Sequence, residues 1–187
     1  MASSKRDHLV DTALDLFCRH GFHATGIDKI LAASGVAKMT MYKHFKSKDE
    51  LILAALHRND EKFRNGLMRD IERKAKTPRD RILAIFDYLG DWFAKSGFTG
   101  CTFINATAEY AASDNPIHAA AAEHKRLIYG YIFDLTKAAG AKDPDALANG
   151  LALLAEGAVV MAHVSGNKDA SGQAKRTAEI LLADAGV

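Results

Sequence analysis

The sequence predicts an all-α protein of about nine helices. Apolar residues recur at three- and four-residue spacing from one end to the other, the helical period. Strand-type alternation of Val, Ile and Thr is scarce, and 187 residues hold only three prolines. Punctuation by Gly and by Ser, Thr or Asp caps divides the pattern into separate helices.

The first segment, SKRDHLVDTALDLFCRHG, sets Leu9, Ala13, Leu16 and Phe17 on one face; Ser4 can cap it and Gly21 ends it. TGIDKILAASG is shorter, with Thr25 as cap, Ile27, Ile30 and Leu31 as inner face, and Gly35 as stop. One tight turn later comes GVAKMTMYKHF, whose Val36, Met41 and Phe45 point inward. Ser47-Lys48-Asp49-Glu50 reads as a capping box opening a long helix over about 48–74. Thr77-Pro78 starts an aromatic-rich helix broken by Gly97 and Gly100. A shorter helix over 101–112 ends at the SDNP turn, and a long one runs from about 117 to 139. The last two helices span about 145–164 and 171–185.

Composition suits a globular helical protein with a sizeable core. The first fifty residues carry eight Lys/Arg against six Asp/Glu, and the remainder balances to zero. That mild basic bias does not by itself establish a nucleic-acid partner. No apolar run follows the N-terminal MASSKRDH, so no signal peptide is expected. Cys18 and Cys101 have neither disulfide nor zinc spacing, and the expected setting is cytoplasmic with reduced thiols. Cys18, mid-helix among apolar residues, reads as core. Nucleophile elbow, glycine-rich phosphate loop and HExxH are all missing, which argues against an enzyme. His118, Glu123 and His124 share no helical face, so neither metal nor cofactor is expected.

Two short helices joined by a Gly turn must cross steeply, which is the helix-turn-helix signature. Its second helix lies in a major groove of DNA. Taken alone, residues 35–46 also suit a solvated charged turn.

The ordered motif T-x-Y-x-H-F-x-S-K-x-E-L decides between the two. Here it is Thr40, Tyr42, His44, Phe45, Ser47, Lys48, Glu50 and Leu51. Residues 8–56 resemble, without gaps, the DNA-binding domain of the tetracycline-repressor (TetR) family of bacterial transcriptional regulators. The resemblance implies a helix-turn-helix domain over 1–47 and an effector-binding and dimerisation domain over 48–187, linked by the helix 48–74. It places DNA contacts at Thr25, Lys38, Thr40, Tyr42, His44 and Lys48. Tyr42, His44 and Lys48 suit phosphates, while Thr40, Met39 and Lys43 suit base edges. The family usually has Ser or Thr where this chain has Ala37, a loss of about 1 kcal/mol of capping. It often has Gly or Ala at Met39, whose long side chain can instead touch a thymine methyl.

A single such motif reads too few base pairs, and two half-sites roughly 34–36 Å apart call for a dimer. Leu147, Leu151, Leu154, Ala158 and Met161 form a stripe, with Gly150 and Gly157 one heptad apart. The stripe suits a core helix equally; the resemblance favours a homodimer through helices 145–164 and 171–185. Asn149, Glu156 and His163 interrupt the first of these helices and argue against a membrane span.

The resemblance also implies a small-molecule effector that releases a repressor from a pseudo-palindromic operator. Candidate ligand-binding residues are Phe86, Trp92, Cys101, Phe103, Asn105, Glu109, His118, Tyr129 and Phe133, with an ordinary filled core as the alternative reading of the aromatics. The Gly100-Cys101 step resembles one branch of the family that senses electrophiles or oxidants. A thiol near a helix N-terminus is favoured as thiolate, so Cys101 is either a sensor or a small packed residue.

Overall fold

A computed structural model describes residues 4–187. Every regular element among them is a helix: α1 Lys5–His20, α2 Ile27–Ser34, α3 Lys38–His44, α4 Lys48–Lys74, α5 Pro78–Phe93, α6 Thr102–Glu109, α7 Pro116–Ala138, α8 Pro144–Val164 and α9 Ala170–Asp184.

Local chemistry sets most of the starts. Ser4 accepts a hydrogen bond from the Asp7 amide, Thr77 from Asp80 and Asp143 from Ala146, each three residues inside its helix. At α4, Ser47 Oγ takes the Glu50 amide while the Glu50 carboxylate reaches back to the Lys46 amide. The start of α2 differs from expectation. Its cap position is Gly26, with no side-chain bond, because the Thr25 hydroxyl is drawn inward to the Gly21 carbonyl at 2.7 Å.

The chain forms two compact units. One, the head unit, joins residues up to Lys62 with Thr102–His124; the other, the body unit, joins Phe63–Cys101 with Lys125–Val187. This grouping in space differs from a division along the chain at residue 47. Both α4 and α7 are shared between units, and α6 lies with the head.

In the head unit α2 and α3 pack on α1, whose buried face is Leu9, Val10, Ala13, Leu14 and Phe17. Phe17 stacks on Phe22 with ring centres 5.2 Å apart. His124 of α7 is buried, with Nδ1 2.8 Å from Asp60 of α4 and its ring stacked on Phe103 at 3.7 Å.

In the body unit α5, α8 and α9 pack on one another. Here the sequence stripe on α8 divides. Leu147, Leu151 and Ala158 are buried inside the unit, so they form its core, not an outward seam. The open side of α8 carries Leu153, Gly157, Val160, Met161 and Val164. The two glycines divide likewise. A Cβ on Gly150 would stand 3.2 Å from Leu181 of α9, whereas Gly157 has nothing within 4 Å. α8 is long and apolar enough to cross a membrane by length and composition alone, and its apolar residues divide between the core face and the open side.

Candidate nucleic-acid interface

The helix α3 has seven residues, well below the roughly 12–15 at which an isolated helix is even marginal. Ala37 gives it no side-chain cap. Packing must therefore hold it. Met41 is completely buried and Phe45, which closes the helix, nearly so. Burying a methionine contributes about 1.5–3 kcal/mol, enough to offset the missing cap.

Fixing Met41 inward fixes what points outward. At 3.6 residues per turn, Met39 and Lys43 lie diametrically opposite Met41, one turn apart. Met39 is 87% exposed, and Lys38, Tyr42, Lys43 and His44 are also exposed. Thr40, half-buried, flanks the face. The Lys38 ammonium has only a loose contact, 3.9 Å, with Asp28. Lys48, in the first turn of α4, reaches the His23 carbonyl at 3.3 Å. These residues thus form one surface carrying three ammonium groups, two aromatic donors and one apolar side chain, among the features that phosphates and base edges require.

Thr25 does not belong to that surface. It is 0% exposed, and its hydroxyl serves the Gly21 carbonyl, so the side chain braces the α1–α2 turn from inside.

The same turn contains a feature that sequence reasoning missed. Glu109, the last residue of α6, accepts the Phe22 amide at 2.8 Å and the His23 amide at 2.6 Å. Its Oε2 is also 2.9 Å from His23 Nδ1, and the Tyr110 ring stacks on His23 at 4.7 Å. Successive backbone amides make a nest for an anion, and here a carboxylate from 86 residues away fills it. Burial pushes the Glu109 carboxyl up, but the His23 and Phe22 amides and the adjacent His23 ring outweigh it and hold it below the usual value. Gly21 makes the approach possible. Its φ of +83° suits glycine, and a Cβ would stand 2.9 Å from Glu109 Oε1. A local signal existed: an acid in the last turn of a helix opposes the macrodipole, so Glu109 needed a partner outside α6.

The nine candidate ligand residues are distributed over both units. Phe103, Asn105, Glu109 and His118 lie in the head unit. Glu109 is committed to the turn, and His118 Nδ1 is 2.9 Å from the Tyr110 carbonyl. Phe86, Trp92, Cys101, Tyr129 and Phe133 lie in the body unit. Phe86 is buried in its core, Phe133 is half-buried, and Trp92 packs edge-on against Phe63 and Phe98 at 5.2 and 5.0 Å. The Tyr129 hydroxyl donates to Asp145 at 2.6 Å, and that bond raises its pKa. Tyr129 lines a groove of about 330 Å³ between α7 and α8 with Lys125, Ile128, Ile132, Ala152, Ala155 and Glu156.

Cys101 is buried, and the Lys125 ammonium lies 3.5 Å from its sulfur while pairing with both Glu156 oxygens at 2.6 Å. That basic partner stands 24 residues away, beyond what spacing reveals. Cys18 is half-buried, its sulfur 3.3 Å from the Thr102 hydroxyl. Among the described residues no three His, Cys, Asp or Glu side chains are grouped to hold a metal ion.

Comparisons with known proteins identify the family and the fold. The family described as bacterial regulatory proteins, tetR family, matches residues 9–55. The tetracyclin repressor-like C-terminal domain matches residues 78–178. The HTH-type transcriptional activator FasR of Mycolicibacterium smegmatis is 34% identical over 88 residues, 46% of this chain and 40% of FasR. The HTH-type transcriptional repressor NemR of Escherichia coli is 30% identical over 105 residues, 56% of this chain and 53% of NemR. The chain thus spans about half the length, or less, of these curated relatives. Among solved structures, SCO4454, a TetR-family transcriptional regulator from Streptomyces coelicolor, superposes with a TM-score of 0.90 at 30% identity, covering 97% of this chain and 95% of that one. Reduced E. coli NemR gives 0.85 at 23% identity, covering 94% of this chain and 95% of that one, a likeness of fold.

Fold and family match together define a helix-turn-helix DNA-binding transcriptional regulator, not an enzyme. The chain belongs to the TetR family. Members of this family bind DNA and small-molecule effectors, typically as dimers.

Proposed function

We propose that this protein is a ligand-responsive repressor, cytoplasmic and without a membrane partner, that binds a pseudo-palindromic operator as a homodimer and leaves it when a small molecule binds. The observation that carries the reading is the outward set on α3 and α4: Lys38, Met39, Tyr42, Lys43 and His44 are exposed, flanked by the half-buried Thr40 and Lys48, while Met41 anchors the helix. Tyr42, His44 and Lys48 fix register on phosphates; Met39, Thr40 and Lys43 meet bases. A dimer through α8 and α9 is supported by Leu153, Val160, Met161, Val164 and Ile180, all exposed. An apolar face of that extent on a lone protomer marks an interaction surface. The body unit, with its aromatic cluster and the α7–α8 groove, is where the effector binds. The relative NemR is named a repressor and FasR an activator; repression is the sign proposed.

The test is a salt titration of binding to duplexes selected from a random pool, with Tyr42→Phe plus Lys48→Ala beside wild type. The double variant should bind all sequences more weakly, with a salt slope shallower by roughly 1, from the one charge removed. Unchanged affinity and slope would refute the docking.

A second reading has its own observation. With Lys125 donating to its sulfur at 3.5 Å while paired with Glu156, Cys101 has a polar partner beside it, and capture of an electrophile there would be the releasing signal. A small soft electrophile should then release DNA from wild type and leave Cys101→Ser bound; equal release from both would eliminate it.

A further inference from the structure

We infer that Met39 is a specificity-determining residue that selects thymine by contact with its C5-methyl group. This rests on the DNA-binding reading above and names what one side chain of that surface chooses. At 87% exposure, Met39 holds a long apolar side chain in water, on a face where its neighbours Lys38, Lys43 and His44 are cationic or polar. Lone exposed apolar residues are common; the position of this one is not neutral. It shares with Lys43 the ridge opposite the buried Met41, so on docking these two side chains extend furthest from the head.

In the major groove every base edge shows hydrogen-bonding groups, and thymine alone adds a methyl. A thioether has no proton to donate and accepts only weakly. Set against the guanine or adenine acceptors, or the cytosine amine, Met39 would displace water and return no hydrogen bond, a penalty. Set against the thymine methyl, it buries apolar surface on both partners. Discrimination thus has a repulsive and an attractive part. An unbranched, flexible side chain reaches the methyl without demanding one backbone position.

The experiment begins with duplexes selected from a random pool by wild-type protein. Each thymine of the selected site is then replaced singly by deoxyuridine, which lacks only the methyl, and affinities are measured for wild type and Met39→Ala. At least one substitution in each half-site should weaken wild type about four-fold, the equivalent of one buried methyl, and leave Met39→Ala unchanged. The variant alters a solvent-exposed side chain, and unchanged circular dichroism verifies its fold. If no deoxyuridine position weakens wild type more than about two-fold, or if Met39→Ala shows the same loss, the inference is overturned. A requirement for Met39 in binding another protein but not in methyl sensitivity overturns it equally. Failure to select any sequence would instead sink the DNA-binding reading on which it rests.

Discussion

Replacing Glu109 by Ala removes the acceptor that holds the α1–α2 turn. Two backbone donors are affected, Phe22 at 2.8 Å and His23 at 2.6 Å. A hydrogen bond to a charged group contributes about 1.5–3 kcal/mol. Allowing for the carboxylate's 26% exposure and for water reaching the freed amides, the pair is worth about 2–4 kcal/mol to the head unit. The assay is amide hydrogen exchange resolved by residue. Phe22 and His23 should lose protection by a factor of roughly 30–1,000, the same free energy expressed as an opening equilibrium, while α8 and α9 keep theirs. The sign with pH follows from the direction of the shift. A carboxyl held below its unfolded value of 4.5 contributes stability that is fully present above that value and is lost as pH falls through the folded value. Wild type should therefore approach Glu109→Ala in stability under acid conditions. Equal protection of the two amides in both proteins at neutral pH would refute this account of the turn.

Three substitutions give sharper tests of assembly and sensing. Val160→Asp should shift the protein from dimer to monomer by light scattering with helical content retained, whereas Leu151→Asp, inside the body unit, should destabilise the fold by several kcal/mol. Lys125→Met should slow alkylation of Cys101 severalfold by removing the cation beside the sulfur, measured by mass spectrometry against time.

Helix existence was legible because periodicity and caps are local. Ser4, Thr77 and Asp143 each act within three residues of the amide they cap, and a single chain segment contains both partners. One boundary drifted where a rival local bond competed: Thr25 was free to cap α2 in sequence terms, yet the Gly21 carbonyl four residues back took its hydroxyl. The outward face of α3 was legible for the same reason as its helix, since one buried position, Met41, fixes the phase of all the others. On α8 the sequence left the stripe open between core and seam because apolar residues occur nearly all round, and composition does not say which side meets α9. Pairings at long separation were invisible. Glu109 with His23, and Lys125 with Cys101, are set by helix packing, and nothing in either local stretch names the other.

Since the DNA-reading part of the molecule is stitched from two stretches of chain, it is not a cassette that can be cut out at residue 62. A fragment stopping there leaves behind α6, and with it the carboxylate that the Phe22 and His23 amides require. Grafting this head onto another receiver would mean transplanting two stretches together, so the piece that reads DNA carries with it a piece of the chain that lies next to Cys101.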